Sequence, residues 1–278
     1  MSWRPRASSA NGSPSVIDVL TLYHAGASVC SQKVRLALAE TGIDWQSRNL
    51  DMSKGEHQTP DYLRLNPEGV VPTLVTGGGM VIRESSVIIE YVDALAGGPL
   101  MPREVAALWQ TRLWLIRCIE IHGAINTLSF ATAFRRMLIG SMTAEGLEAW
   151  LACVPNPEIR AKRRDLLRHG AASAHVGGAL RVLDGVFRDM AAAGPWLTGQ
   201  SHGLADVALL PYVDRVRALG LEGLYQGRFS GVAAWLERGR ARPSHGTAVT
   251  AWDDPVVLAG WHEAGTEAWP IIAAQLPH

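Results

Sequence analysis

The sequence predicts an α/β N-terminal domain followed by an all-α helical bundle, and three observations carry that prediction. Apolar segments up to residue 97 alternate in the order strand, helix, strand, helix, strand, strand, helix. Glycines and prolines at 97–103, with Pro99 and Pro102, then break helix from both sides and mark a linker. Beyond them, apolar residues recur at three and four positions in nearly every segment, the period of helices that bury one face. In order, residues 16–23 read as a first strand, 32–41 as a helix and 45–49 as a second strand. A short helix at 59–65, a strand around Pro72, a three-glycine turn at 77–79 with a short strand after it, and a helix at 85–95 complete the first domain. Residues 106–130 and 173–193 are the long amphipathic helices of the second. The domains expected are 18–97, a linker at 98–103, a helical domain at 104–249 and a C-terminal extension at 250–278, whose Trp252, Trp261 and Trp269 pack it onto the body.

Chemistry concentrates at the start of the first helix. A loop there offers Ser28, Cys30 and Ser31 to a helix N-terminus, where unpaired backbone N–H groups and the positive end of the dipole favour an anion and acidify a thiol. The plain alternative is N-capping, the commonest task of a serine at that place. Two further stations follow. Pro72 interrupts the apolar segment Val70-Val71-Pro72-Thr73-Leu74, where a central strand would not tolerate its missing N–H. Glu84 and Ser85 then open the apolar helix of 85–95.

In this order and spacing the three stations resemble the N-terminal domain of the glutathione transferase superfamily, a thioredoxin-like fold, and the likeness covers residues 18–249. The resemblance implies that Pro72 is cis, that the main chain of Val71 bonds the cysteinyl part of glutathione, and that Glu84 and Ser85 hold its γ-glutamyl end. The segment Lys54-Gly55-Glu56-His57 is similar to the one that meets the glycyl carboxylate, with His57 the candidate and Lys54 behind it; a solvated loop is the alternative for both. In the second domain, the stretch 199–224 resembles the family's buried core helix, with Asp206 its structural signature. Gly203 stands where the family carries Ser or Thr, so only the Asp206 half of the capping box can form by side chain, a loss of up to about 1 kcal/mol. Trp235 and the Ala-Arg-Pro-Ser run at 241–244 complete the likeness.

The segment 142–169, with Pro155, Pro157, Glu158 and Lys162-Arg163-Arg164, is similar to an insertion in bacterial glutathione-dependent β-etherases, which cleave aryl ethers. A run of this kind is either a solvated helix face or an anion-facing wall of the substrate pocket. The N-terminal Ser-Val-Cys-Ser-Gln-Lys-Val-Arg is closer to the zeta class. Ser28 aligns with the serine that hydrogen-bonds the glutathione thiolate in zeta and theta enzymes, and it is the first candidate activator. Cys30 aligns with the cysteine of the beta class and would support thiol exchange, while Ser31 is the third candidate. The resemblance implies a glutathione transferase, with glutathione as co-substrate and no metal, attacking an apolar electrophile. Aryl ether cleavage, a maleylacetoacetate-type isomerisation, Cys30-dependent thiol transfer and a non-catalytic glutathione-binding module are its variants. The pocket walls expected are Ala27 and the stripe Trp114, Cys118 and Ile121, a pattern that equally describes core.

Composition agrees with these expectations. Among 278 residues, 47% are hydrophobic, enough for a sizeable core. Lys plus Arg and Asp plus Glu both number 26, a balance that recruits neither nucleic acid nor an anionic membrane. Three widely spaced cysteines argue against a disulfide framework or a zinc cluster and point to a reducing, cytoplasmic setting. Residues 1–17, rich in Ser, Pro, Asn and Gly and without the apolar stretch of a signal peptide, read as a disordered leader. The family likeness further implies a homodimer.

Overall fold

In the computed structural model the described residues are 19–277; the leader and the start of the first strand expected at 16–23 lie outside them. Strand β1 (Leu20–His24) buries Leu20, Leu22 and His24 on one face, the period-two alternation of a half-covered sheet. It pairs parallel with β2 (Trp45–Asn49) in the register Leu20 to Trp45. On its other edge it runs antiparallel to β3 (Thr73–Val75), Leu22 opposite Leu74. A second antiparallel pairing adds β4 (Val81–Ile82), giving the sheet order β2-β1-β3-β4. Helices α1 (Val29–Thr41), α2 (Pro60–Leu65) and α3 (Ser85–Leu95) alternate with these strands as the thioredoxin-like order requires.

Helix α1 starts three residues earlier than the sequence suggests. Ser28 is its N-cap, so Cys30 and Ser31 lie in the first helical turn rather than in a preceding loop. Helix α1 is buried almost all round, because α3 packs on one flank and the second domain covers the other. It ends at Gly42, which adopts φ +70°, the left-handed conformation that only glycine takes without penalty.

The second domain is helical throughout: α4 (Val105–Ala131), α5 (Ala133–Ser141), α6 (Ala144–Ala152), α7 (Pro157–His169), α8 (Ala174–Ala192), α9 (Leu204–Ala218), α10 (Val232–Arg240), α11 (Pro243–Ala248) and α12 (Pro255–Ala273). Helix α4 packs on α8 and α9, and α9 packs on α1, so α9 links the two domains. Asp206 is fully buried in the first turn of α9. It accepts from Gly203 N–H at 3.0 Å, Leu197 N–H at 3.0 Å and Trp235 Nε1 at 2.7 Å. The side-chain half of the capping box that Gly203 cannot supply is absent, as its missing Cβ dictates. The basic insertion forms α6 and α7 against α4 and α5. Helix α12 runs back over α5 and α9, with Trp261 buried and Trp269 partly buried. No helix of the described residues is long and apolar enough to cross a membrane.

Candidate functional site at the start of helix α1

The Ser28 Oγ accepts the N–H of Ser31 at 3.3 Å, which satisfies one of the four orphan donors of α1. Its own hydroxyl proton has no acceptor among the described residues, so it remains available to a bound anion. Ser31 is different. It is fully buried and its Oγ accepts Ala25 N–H at 3.3 Å, so the hydroxyl braces the loop and offers no face to a substrate. Of the three hydroxyl and thiol candidates, Ser31 therefore falls to the capping-type role.

Cys30 is half-buried, with Sγ 3.5 Å from Nδ1 of His122 on α4 and 3.6 Å from the hydroxyl of Tyr212 on α9. Burial alone would raise its pKa. The hydrogen bond and charge of His122, the charge of Lys33 and the Tyr212 hydroxyl outweigh it and bring the thiol from 9.0 down to about 6. His122 responds in kind: burial disfavours its cation, but the Cys30 thiolate holds its pKa above the ordinary value. Burial and the neighbouring thiolate both push the Tyr212 hydroxyl well above its ordinary value, so it stays a proton donor. Lys33, one turn along α1, is fully buried, donates to Ser86 Oγ at 3.2 Å and sits 5.2 Å from the Tyr212 ring centroid. It has no carboxylate partner among the described residues, and its charge is one of those that favour the Cys30 thiolate.

Two buried arginines fix the loop before Ser28. Arg35 on α1 donates to the carbonyls of Ala25 at 3.2 Å, Gly26 at 2.9 Å and Ala248 at 2.7 Å. Arg215 on α9 donates to the Ala27 carbonyl. Burial lowers the pKa of both to about 10, so both stay charged at neutral pH. Each lies over an indole of the C-terminal segment, Arg35 over Trp252 at 4.9 Å and Arg215 over Trp261 at 4.5 Å.

The second station is a cis peptide at Val71–Pro72. Asn66 Nδ2 fixes the preceding carbonyl of Val70 at 2.9 Å, whereas no hydrogen bond from a described residue reaches the backbone of Val71. That free N–H and C=O pair suits an extended peptide. Val71 packs with Ala25 and Tyr62, which ties this turn to the loop before Ser28. At the third station Glu84 takes φ +67°, a strained left-handed conformation for a residue with a side chain, immediately before Ser85 opens α3. Ser85 is buried, and its hydroxyl favours the ionised Tyr212, the residue whose hydroxyl lies beside Cys30.

His57 lies in a 3-10 turn (Glu56–Gln58), half-buried, with its Nδ1 buried and unpaired. Lys54 is exposed and pairs with Asp51 at 3.0 Å, the solvated arrangement. Ala27 is exposed at the loop. Trp114, Cys118 and Ile121, in contrast, are buried in the main core: Arg117 covers the Trp114 ring at 4.7 Å and Cys118 Sγ lies 4.0 Å from the Ala208 carbonyl. The expectation that this stripe lines a pocket is corrected, because all three side chains are buried in the main core, Cys118 against the carbonyl of Ala208 on α9. The residue of α4 that reaches the thiol is His122, one turn past Cys118 on the same side of the helix. That i to i+4 step was the available signal; Tyr212 and Arg215 carried none, since only the folded chain brings α9 to α1.

Residues 27–95 match the family model described as the glutathione S-transferase N-terminal domain, and residues 168–243 the one for the glutathione S-transferase C-terminal domain. Glutathione S-transferase TCHQD of Arabidopsis thaliana is 28% identical over 262 residues, spanning 89% of this chain and 94% of that protein. Maleylacetoacetate isomerase of Pseudomonas aeruginosa is 29% identical over 214 residues, 73% of this chain and 84% of that protein. The crystal structure of the β-etherase LigF from Sphingobium sp. strain SYK-6 superposes with a TM-score of 0.71 at 24% identity, covering 83% of this chain and 98% of that one.

Proposed function

Since the chain belongs to the glutathione S-transferase superfamily, we propose that it is a glutathione transferase in which Ser28 stabilises the glutathione thiolate for attack on an apolar electrophile. The observation that carries this reading is the Ser28 hydroxyl: its lone pair is engaged by Ser31 N–H, and its proton is free to donate at the positive end of α1. Val71 offers a free main-chain donor and acceptor to the cysteinyl unit, Glu84 and Ser85 take the γ-glutamyl end, and the orphan Nδ1 of His57 meets the glycyl carboxylate. The thiolate forms a bond to carbon and the leaving group departs with its electron pair. A β-aryl ether, with an aryloxide leaving group, is the first electrophile to try, because the 142–169 segment resembles in sequence the insertion of bacterial β-etherases. Return of the sulfur unchanged would instead make the enzyme an isomerase.

A second reading is favoured by the contacts of Cys30 with His122 and Tyr212. A thiolate at neutral pH can attack the sulfur of a glutathione mixed disulfide, release the partner thiolate, and be freed by a second glutathione that leaves as the disulfide. A non-catalytic glutathione-binding module is what remains if neither group turns over substrate. We further infer a cytoplasmic detoxifying homodimer that pairs through the exposed apolar face of α4. Calorimetry of glutathione on the wild type, Ser28→Ala and Cys30→Ser, followed by turnover of an aryl halide, a β-aryl ether and a mixed disulfide, tests these readings. Loss of transferase turnover in Ser28→Ala alone supports the first reading; loss in Cys30→Ser alone supports the second.

A further inference from the structure

The helical domain holds a second group of chemistry-bearing side chains that the thiol site does not use. His245 on α11 is buried, and its Nε2 lies 3.0 Å from Oδ2 of Asp214 on α9, which is buried too. Its other ring nitrogen, Nδ1, lies 3.3 Å from the hydroxyl of Thr250. Thr250 is exposed and opens the 3-10 turn Thr250–Trp252 that follows α11. The helix closes with Val249 N–H on the His245 carbonyl at 2.9 Å, and the next residue meets the ring.

The three partners fix one another's roles. Arg217 Nε donates to Oδ1 of Asp214 at 2.7 Å, and Arg240 Nε lies 3.2 Å from the same oxygen. Burial works against the Asp214 carboxylate, but the hydrogen bonds and charges of His245 and Arg217 hold its pKa below the ordinary value, so it only accepts. In the neutral ring the proton therefore sits on Nε2 and the lone pair on Nδ1. The Thr250 hydroxyl donates to that lone pair and has no other hydrogen-bond partner among the described residues. A hydroxyl aimed at a base whose far nitrogen is held by a carboxylate is an activated nucleophile, recognised by geometry rather than by order in the chain. Thr250 and its neighbours Gly246, Thr247 and Ala251 are all exposed, so an acyl group has access. The main-chain N–H groups of Thr250 and Ala251 bond to no described residue and are free to meet a carbonyl oxygen.

We propose that Thr250, His245 and Asp214 form a second catalytic site that hydrolyses small activated carboxylic esters with water and without glutathione. As Thr250 Oγ1 bonds to the acyl carbon, its proton passes to His245 Nδ1. The leaving alkoxide or aryloxide departs with the electron pair of the broken C–O bond and takes that proton. A water molecule then gives a proton to Nδ1 while its oxygen bonds to the acyl carbon. Thr250 Oγ1 leaves with its bond pair, regains the proton, and a carboxylic acid is released. Asp214 positions the ring and offsets its transient positive charge. None of the three belongs to the group at the start of α1, so this activity and the transferase reading stand or fall separately.

The test is hydrolysis of para-nitrophenyl acetate in the absence of glutathione. Every chain carries Cys30→Ser, which removes the acidified thiol as a competing acyl acceptor. Thr250→Ala should lower kcat/KM at least about tenfold relative to that parent, and Thr250→Ser should retain most of it. Asp214→Asn should lower kcat at unchanged KM. Acid quench of the parent during turnover should trap an acetyl group on the peptide that holds Thr250, read by mass spectrometry. Thr250→Ala hydrolysing at the parent's rate, or acetyl found only on other residues, overturns the proposal. A lower melting temperature in Thr250→Ala with hydrolysis unchanged assigns the hydroxyl to anchoring His245 and overturns it as well.

Discussion

At the scale of single residues, Cys30 shows how a thiol in a buried place becomes an anion. Desolvation works against it, and three neighbours from three helices, His122, Tyr212 and Lys33, reverse the sign. The thiolate is the reactive form, so alkylation by iodoacetamide should be half-maximal near pH 6 rather than near 9, falling as the thiol protonates at lower pH. His122→Gln removes the largest favourable contribution, and its profile should move upward toward 9. A profile identical to wild type would show that His122 does not hold the thiolate. Glu84 is a second residue under opposing demands. Its left-handed backbone costs on the order of 1 kcal/mol, which Glu84→Gly relieves while deleting the carboxylate expected to meet the γ-glutamyl end. That variant should melt a few degrees higher than wild type and bind glutathione more weakly; a lower melting temperature would argue that Glu84 carries no strain.

At the scale of elements, most of the first domain was legible because local signals agree with the final pairing. The expected bounds of β2 and α3 coincide with the observed ones, whereas the strand expected around Pro72 starts one residue later, at Thr73, because the proline lacks the N–H a ladder needs and sits in a cis turn. The start of α1 was misplaced because the run Ser28 to Ser31 reads as a loop by composition, while its serine caps the helix and its next residues already turn. The periodicity of α4 picks out Trp114, Cys118 and Ile121 but not His122, because it marks a face and not which of its residues meets another helix. Helix α9 shows the same limit. The Asp206 cap was legible, yet the reason for Gly203 was not: a Cβ there would stand 3.1 Å from the Leu100 carbonyl. That carbonyl cannot retreat, since Leu204 N–H holds it at 2.9 Å and Leu100 N–H is bound to Asp93 at 2.7 Å. Gly203→Ser should therefore fail to raise the melting temperature although it completes the capping box. Asp206→Ala leaves three buried donors unpaired and should cost about 3–5 kcal/mol, read by chemical denaturation. A loss under about 1 kcal/mol would mean that water replaces the carboxylate.

At the scale of the whole molecule, α4 is apolar on two sides. One side fills the core with Trp114, Leu115, Cys118 and Ile121. The other presents Val105, Trp109, Leu113, Ile116 and Ile119, each more than half exposed, on a single face. A monomer has no use for such a stripe, and the dimer proposed above covers it. Ile116→Glu should halve the mass seen by light scattering and leave the monomer folded; an unchanged mass would place the interface elsewhere.

The two arginines that grip the loop before Ser28 have a consequence at this same scale. Arg35 and Arg215 hold the loop with their donors and the indoles of Trp252 and Trp261 with their faces. Loop order and the seating of the C-terminal helix are thus two readings of one equilibrium, and thermodynamic reciprocity forbids either from changing alone. If glutathione stiffens the loop, amide exchange in α12 should slow with it, since Arg215 holds both. By the same reciprocity, clipping the chain before Trp252 should weaken glutathione. The C-terminal extension is in this sense a remote support of the loop that carries Ser28.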